Sequence, residues 1–120
     1  MRIEKIKCLS ESGQEAEVLV SSDVSSFEVW AFCHPCILTE KSILQEPLFG
    51  VFTEIYSSSE RDFKLEELSE WCAYNFVGKL TDASKGIVDV GGIMIMLDAH
   101  MPGDLCDGDW VEGTCGRIDI

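Results

Sequence analysis

Two stretches of this chain carry side chains whose types and spacing suit chemistry. One is Cys33-His34-Pro35-Cys36; the other is an acidic run with Asp104, Asp107, Asp109 and Glu112 around Trp110. A Cys-x-x-Cys pair is one half of many zinc sites, because thiolate and imidazole are the ligands that ion prefers. The alternative metal set is therefore Cys33, Cys36, His34 and His100. A matching second pair is missing, since Cys106 and Cys115 are separated by eight residues, so the expectation is no cofactor, with zinc as the alternative. Read as a redox dithiol, the pair lacks the strand-to-helix setting such motifs use. Cysteine-histidine nucleophilic catalysis is equally unsupported, because neighbouring strand residues point to opposite faces and Cys33 would not meet His34. No catalytic residue is expected, and the balance leans away from an enzyme.

The carboxylates of the acidic run are hard oxygen ligands of the kind calcium takes, and Gly108 permits a sharp turn, yet their spacing does not match the EF-hand loop. Charged turns also keep sheet edges from pairing. A third role is recognition: carboxylates beside an aromatic side chain form a rim that docks a cationic surface. Asp104, Asp107, Asp109, Trp110 and Glu112 are accordingly the candidate partner-binding residues.

Charge sets the electrostatic frame for that choice. Twenty-two acidic against nine basic residues leave a net charge of −13, which repels phosphate backbones and anionic membranes and favours basic partners. A hydrophobic fraction of 46% supplies enough apolar material to offset chain entropy, so a folded chain is expected, with residues 1–120 as one domain. The start, MRIEKIKCLSESGQ, alternates charged and apolar residues without the apolar core of a signal peptide, and no run of apolar residues is long enough to span a bilayer. The expectation is a soluble cytoplasmic chain whose six cysteines remain free thiols.

The elements that must position these residues read mainly as strands. Arg2 to Leu9 alternates if a bulge shifts its phase; a polar turn at Ser10 to Gln14 follows, then a strand from Ala16 to Val20, reversed by the serine-rich run after it. Phe27, Val29, Ala31 and Cys33 share one face of a strand expected to be central, ended near His34 by Pro35. Cys36 to Pro47 reads as a connection and Leu48 to Tyr56 as a strand. Ser59, Asp62 and the spacing of Phe63, Leu65, Leu68, Trp71 and Cys72 predict one helix over about residues 60–71. Tyr74 to Asp82, Ile87 to Leu97 and Trp110 to Ile118 complete the strands. Gly91-Gly92 inside the second of these lacks the lysine and helix of a phosphate loop and marks a bulge or bend. Ile93, Ile95 and Leu97 face one side there, and Met94 and Met96 the other.

Strands with a single helix between them, closing on the segment PGDLCDGDWVEGTCGRI from Pro102 to Ile118, resemble the OB-fold, a small five-stranded Greek-key β-barrel. The resemblance implies a barrel in which Arg2 to Val20 supplies a long, bent first strand or adds an extra one. It is a likeness of fold, and such a fold hosts many functions.

The expected function is a non-enzymatic protein-binding module that docks a basic partner; its extreme form is an immunity or antitoxin protein covering the cationic active site of a nuclease-like toxin. The alternative is a metal- or small-ligand-binding barrel, hydrolytic in one version, with a pocket near His34, His100 and the late aspartates. Nucleic-acid binding ranks third, because it would require Lys5, Lys7, Lys79, Lys85 and Arg117 to gather into one basic groove.

Overall fold

In the computed structural model of the chain, residues 1–12 and 14–120 are described; within the turn expected at Ser10 to Gln14, Gly13 lies outside them. They form nine strands and no helix: β1 (Arg2–Cys8), β2 (Ala16–Ser21), β3 (Glu28–Cys33), β4 (Leu48–Ser57), β5 (Lys64–Glu67), β6 (Tyr74–Asp82), β7 (Ile87–Val90), β8 (Ile93–Leu97) and β9 (Trp110–Asp119). β4, β8, β7, β6 and β9 close a small five-stranded barrel of the OB-like kind, because β9 pairs with β6 on one side and β4 on the other. β6, β7 and β8 are antiparallel neighbours in succession and β9 returns beside β6, which is the Greek-key order. β4 meets β8 in parallel over Leu48–Gly50.

The chain before β4 is not the barrel's first strand. β1, β2 and β3 form an antiparallel meander that reaches the barrel through a parallel bridge between Phe32 and Asp119. β3 thus lies between β2 and β9, outside the barrel wall. The phase shift foreseen in β1 is present as a register shift between Ile3 and Lys5. One apolar core joins both parts: Val18, Val29 and Ala31 from the meander cluster with Leu48, Ile95 and Ile118 from the barrel. Tyr74 fastens the junction, its hydroxyl accepting the Trp30 backbone N–H at 2.9 Å.

Gly91-Gly92 is a chain reversal, not a bend within one strand. Val90 pairs with Ile93 across it, so the run expected from Ile87 to Leu97 is a two-residue hairpin. Both glycines have positive φ, 61° and 95°, the requirement of the type I′ turn that matches strand twist. The serine-rich turn after β2 packs on this hairpin, with the Ser22 and Ser25 hydroxyls donating to Gly91 O at 2.8 and 2.6 Å. Alternation in β8 follows expectation, with Ile93, Ile95 and Leu97 buried and Met94 and Met96 half-buried.

The helix expected over residues 60–71 is absent. Lys64–Glu67 is instead strand β5, paired with β6 from Lys64 opposite Val77 to Glu67 opposite Tyr74. Leu68 N–H then donates to Ala73 O and closes a turn, and Cys72 takes a positive φ of 56° there. Phe63 and Trp71 are not buried, while Leu65 packs against the core and Cys72 is buried, so the apolar stripe that suggested a helix does not present one continuous face to the core. A short strand and its turn reproduced helical spacing, and the unpaired side of β6 decided the outcome in favour of sheet.

β4 and β9 also change phase together. Leu48 and Gly50 are buried, then Ile55 five residues on; Cys115 is buried, then Ile118 three residues on. Both intervals are odd, so each strand rotates its inward face midway. Phe52 sits at the rotation with φ 53°. The Asp98 carboxylate accepts the N–H groups of Phe52 and Thr53 at 3.0 and 3.2 Å. A Cβ at Gly116 would lie 2.9 Å from that of Phe52, so glycine gives the kink its room.

Candidate functional site

Beyond the barrel seam, β4, β9, β6 and β5 lie side by side as a four-stranded sheet, and register places its outward side chains in rows. Directly paired residues share a face. One row is Tyr56, Glu112, Val77 and Lys64; the next is Glu54, Thr114, Asn75 and Glu66. With Glu60, all of these but Glu54 border a groove of about 370 Å³, for which buried Val77 supplies part of the lining. Gly113, opposite both Ile55 and Phe76, keeps the strands close, since a Cβ there would stand 3.0 Å from the Phe76 ring.

The groove is acidic. Glu60, Glu66 and Glu112 line it with one lysine, Lys64, and Glu54 adjoins through its bond to the Tyr56 hydroxyl. The Lys64 ammonium is already held by Glu60 at 2.6 Å, and that hydrogen bond together with the nearby carboxylates raises its pKa. Tyr56 is 58% exposed; its hydroxyl donates to Glu54 at 3.1 Å, which raises the phenol's pKa. Thr114 donates to Asn75 Oδ1 at 2.7 Å. The groove therefore offers carboxylate, amide and phenol oxygens on a half-apolar floor. Such a surface accepts hydrogen bonds from ammonium and guanidinium groups and lays an aromatic ring beside their alkyl stems.

Among the sequence-expected rim residues, Glu112 belongs to this groove. Asp107 and Asp109 do not: Asp107 accepts the Ala83 N–H at 2.7 Å and Asp109 the Cys106 N–H at 2.9 Å, fastening the loop between β8 and β9 to itself and to the β6–β7 turn. Asp104 is exposed in that loop. Trp110 is half-buried on the outer face, covered by Phe63 at 4.9 Å between ring centroids and by the Lys79 ammonium at 5.9 Å. The groove residues Tyr56, Glu60, Lys64, Glu66, Asn75 and Thr114 were missed, as was Glu54, which accepts the Tyr56 hydroxyl. Their signal was alternation, Glu54 with Tyr56 and Glu112 with Thr114, which marks a polar face without saying which strands lie side by side.

The metal alternative finds no gathered ligand set: among the described residues no three His, Cys, Asp or Glu side chains stand together as a metal site. Cys33 is buried and Cys36 half-buried, while His34 is exposed and stacks on Phe32 at 6.4 Å. His100 is exposed in the β8–β9 loop. Burial, reinforced by Cys36, pushes the Cys33 thiol up to about 12. Burial likewise pushes Cys72 up to about 12 and Cys115 to about 11. Protonated thiols of this kind are poor nucleophiles. All six cysteines are free.

The five basic residues named for a nucleic-acid groove sit on separate elements: Lys5 and Lys7 on β1, Lys79 on β6, Lys85 in the β6–β7 turn and Arg117 on β9. Arg117 is paired with Asp119 through two hydrogen bonds of 2.6 and 2.8 Å. Among the described residues no helix is long and apolar enough to cross a membrane. No family model, curated protein or solved structure matches the chain.

Proposed function

We propose that this chain is a non-enzymatic binding module whose acidic groove docks a cationic surface of a protein partner. The observation that carries the reading is the placement of Glu60, Glu66 and Glu112 with Tyr56 about one groove on the sheet, with Glu54 bonded to the Tyr56 hydroxyl. Carboxylates along one groove give it a negative potential, which attracts a lysine or arginine head while the stem of that side chain covers apolar floor. The chain's net charge of −13 adds long-range attraction that speeds encounter with a basic partner and fades with salt. An immunity- or antitoxin-type role is the tightest form of the same recognition.

The test separates the groove from the general charge. An octa-lysine peptide is titrated against the native chain, Glu112→Lys and Asp104→Lys, at low salt. Both variants change the net charge equally. Glu112→Lys should weaken binding about tenfold, equivalent to about 1.4 kcal/mol, and Asp104→Lys by less than about threefold. Equal weakening by the two would reduce the attraction to net charge and end the groove assignment.

A further inference from the structure

We propose that the free edge of β5 takes up an extended segment of the partner as an added strand, read in the order basic, basic, apolar. The inference rests on the acidic-groove reading above and specifies the form of its ligand. β5 ends the sheet, and among the described residues it pairs with β6 alone. In an antiparallel ladder every second residue directs its N–H and C=O away from the partner strand, so β5 presents unpaired donors and acceptors at its outer edge.

The sheet's other end is not equivalent. Along β1, Ile3 N–H donates to Ser42 O at 2.9 Å and Ile3 O accepts Lys41 N–H at 2.7 Å. Arg2 bridges Ile43, and Ile6 N–H donates to the Glu40 carboxylate at 2.9 Å. That edge is covered by its own chain. No residue of β5 is buried, and Leu65 alone in it is half-buried.

Charge selects the occupant. Glu60, Asp62, Glu66, Glu67 and Glu70 flank or lie in β5, against Arg61 and Lys64, and Lys64 is engaged by Glu60. A second copy pairing β5 to β5 in antiparallel register would set Lys64 opposite Glu67 but would bring together two segments in which acidic residues outnumber basic ones, and that net like charge opposes self-pairing. An added strand of opposite charge meets the reverse situation. Its residue opposite Glu66 stands on the groove side, beside Glu66 itself; the residues opposite Glu67 and Leu65 stand on the other face. Basic side chains opposite Glu67 and Glu66, an apolar one opposite Leu65 and an acidic one opposite Lys64 satisfy all four positions. Backbone bonds to the edge supply affinity, and these side chains supply choice.

The experiment uses the full chain labelled with ¹⁵N and the peptide acetyl-Thr-Lys-Lys-Val-Glu-Thr-amide, written for antiparallel apposition. At saturating peptide, the β5 amides that point away from β6 should exchange with solvent at least about tenfold more slowly. Backbone N-methylation of the peptide should abolish that protection, and Glu66→Lys with Glu67→Lys should shift preference to the Glu-Glu-Val-Glu peptide, which keeps the acidic residue opposite Lys64. If the N-methylated peptide binds as well as its parent, still sensitive to Glu112→Lys, strand addition is overturned and the groove reading stands. If neither peptide nor octa-lysine perturbs the groove, both fail. Protection of β5 that rises with protein concentration without peptide would identify a second copy as the occupant and overturn the inference.

Discussion

Asp98 illustrates how a single carboxylate sets the shape of this barrel. It closes β8 and receives two backbone N–H groups of β4 at the point where Phe52 enters the left-handed region. A bulky residue there is strained and persists only where its surroundings hold it. Asp98→Ala should lower stability by about 1–3 kcal/mol, the usual range for hydrogen bonds to a charged group, and Asp98→Asn by less; urea unfolding measures both. The buried thiols give a second residue-scale expectation. In the unfolded chain Cys72 ionises near its ordinary value of 9.0, whereas the fold holds its proton up to about 12, and Cys33 and Cys115 behave alike. A pKa raised in the native state leaves stability intact below pH 9 and removes it as pH climbs from there toward 12. Unfolding midpoints at pH 8 and pH 10.5 should differ in that direction. At this scale the sequence revealed acidity at Asp104, Asp107 and Asp109, but not that two of them spend their oxygens on loop amides. That use depends on where the β6–β7 turn lies, which no local pattern encodes.

Strands whose alternation met a core were legible element by element: β2, β3, β4, β6 and β9 fall where apolar and polar residues alternate or both faces are covered. β5 was not, because Phe63, Leu65, Leu68 and Trp71 recur at near-helical spacing while packing outside the core or half outside it. The missing information was the open side of β6, a partner distant in sequence. Gly91-Gly92 was visible as a break, but its reversal depends on Val90 meeting Ile93. The hairpin carries its own expectation. Both glycine φ values are positive, and added Cβ atoms would press on Phe27 at Gly91 and on Val24 at Gly92, each at 2.6 Å. Gly92→Ala should therefore destabilise by at least about 1 kcal/mol, and should loosen the serine-rich turn, seen as faster amide exchange at Val24 and Ser25.

Across the whole molecule, the meander continues beyond the barrel and gives extents of 45 × 26 × 26 Å, with −13 charges distributed over that surface. Self-repulsion of this size opposes compactness, and salt screens it. Because the Debye length falls from about 30 Å at 0.01 M to about 8 Å at 0.15 M, the melting temperature should rise over that interval. Binding to a cation should move the opposite way and weaken, so the same salt titration separates charge acting on folding from charge acting on recognition. Composition disclosed the acidity of the surface; register across four strands set Tyr56, Glu112 and Lys64 in one row and Glu66 in the next, and that register was not readable from any one segment.

The most direct measurement of the central claim is a map of amide shifts on the ¹⁵N-labelled chain during titration with octa-lysine. The account predicts perturbations centred on Tyr56, Lys64, Asn75, Glu112 and Thr114. Shifts concentrated on residues 104–109, or spread evenly over the acidic surface, would contradict it.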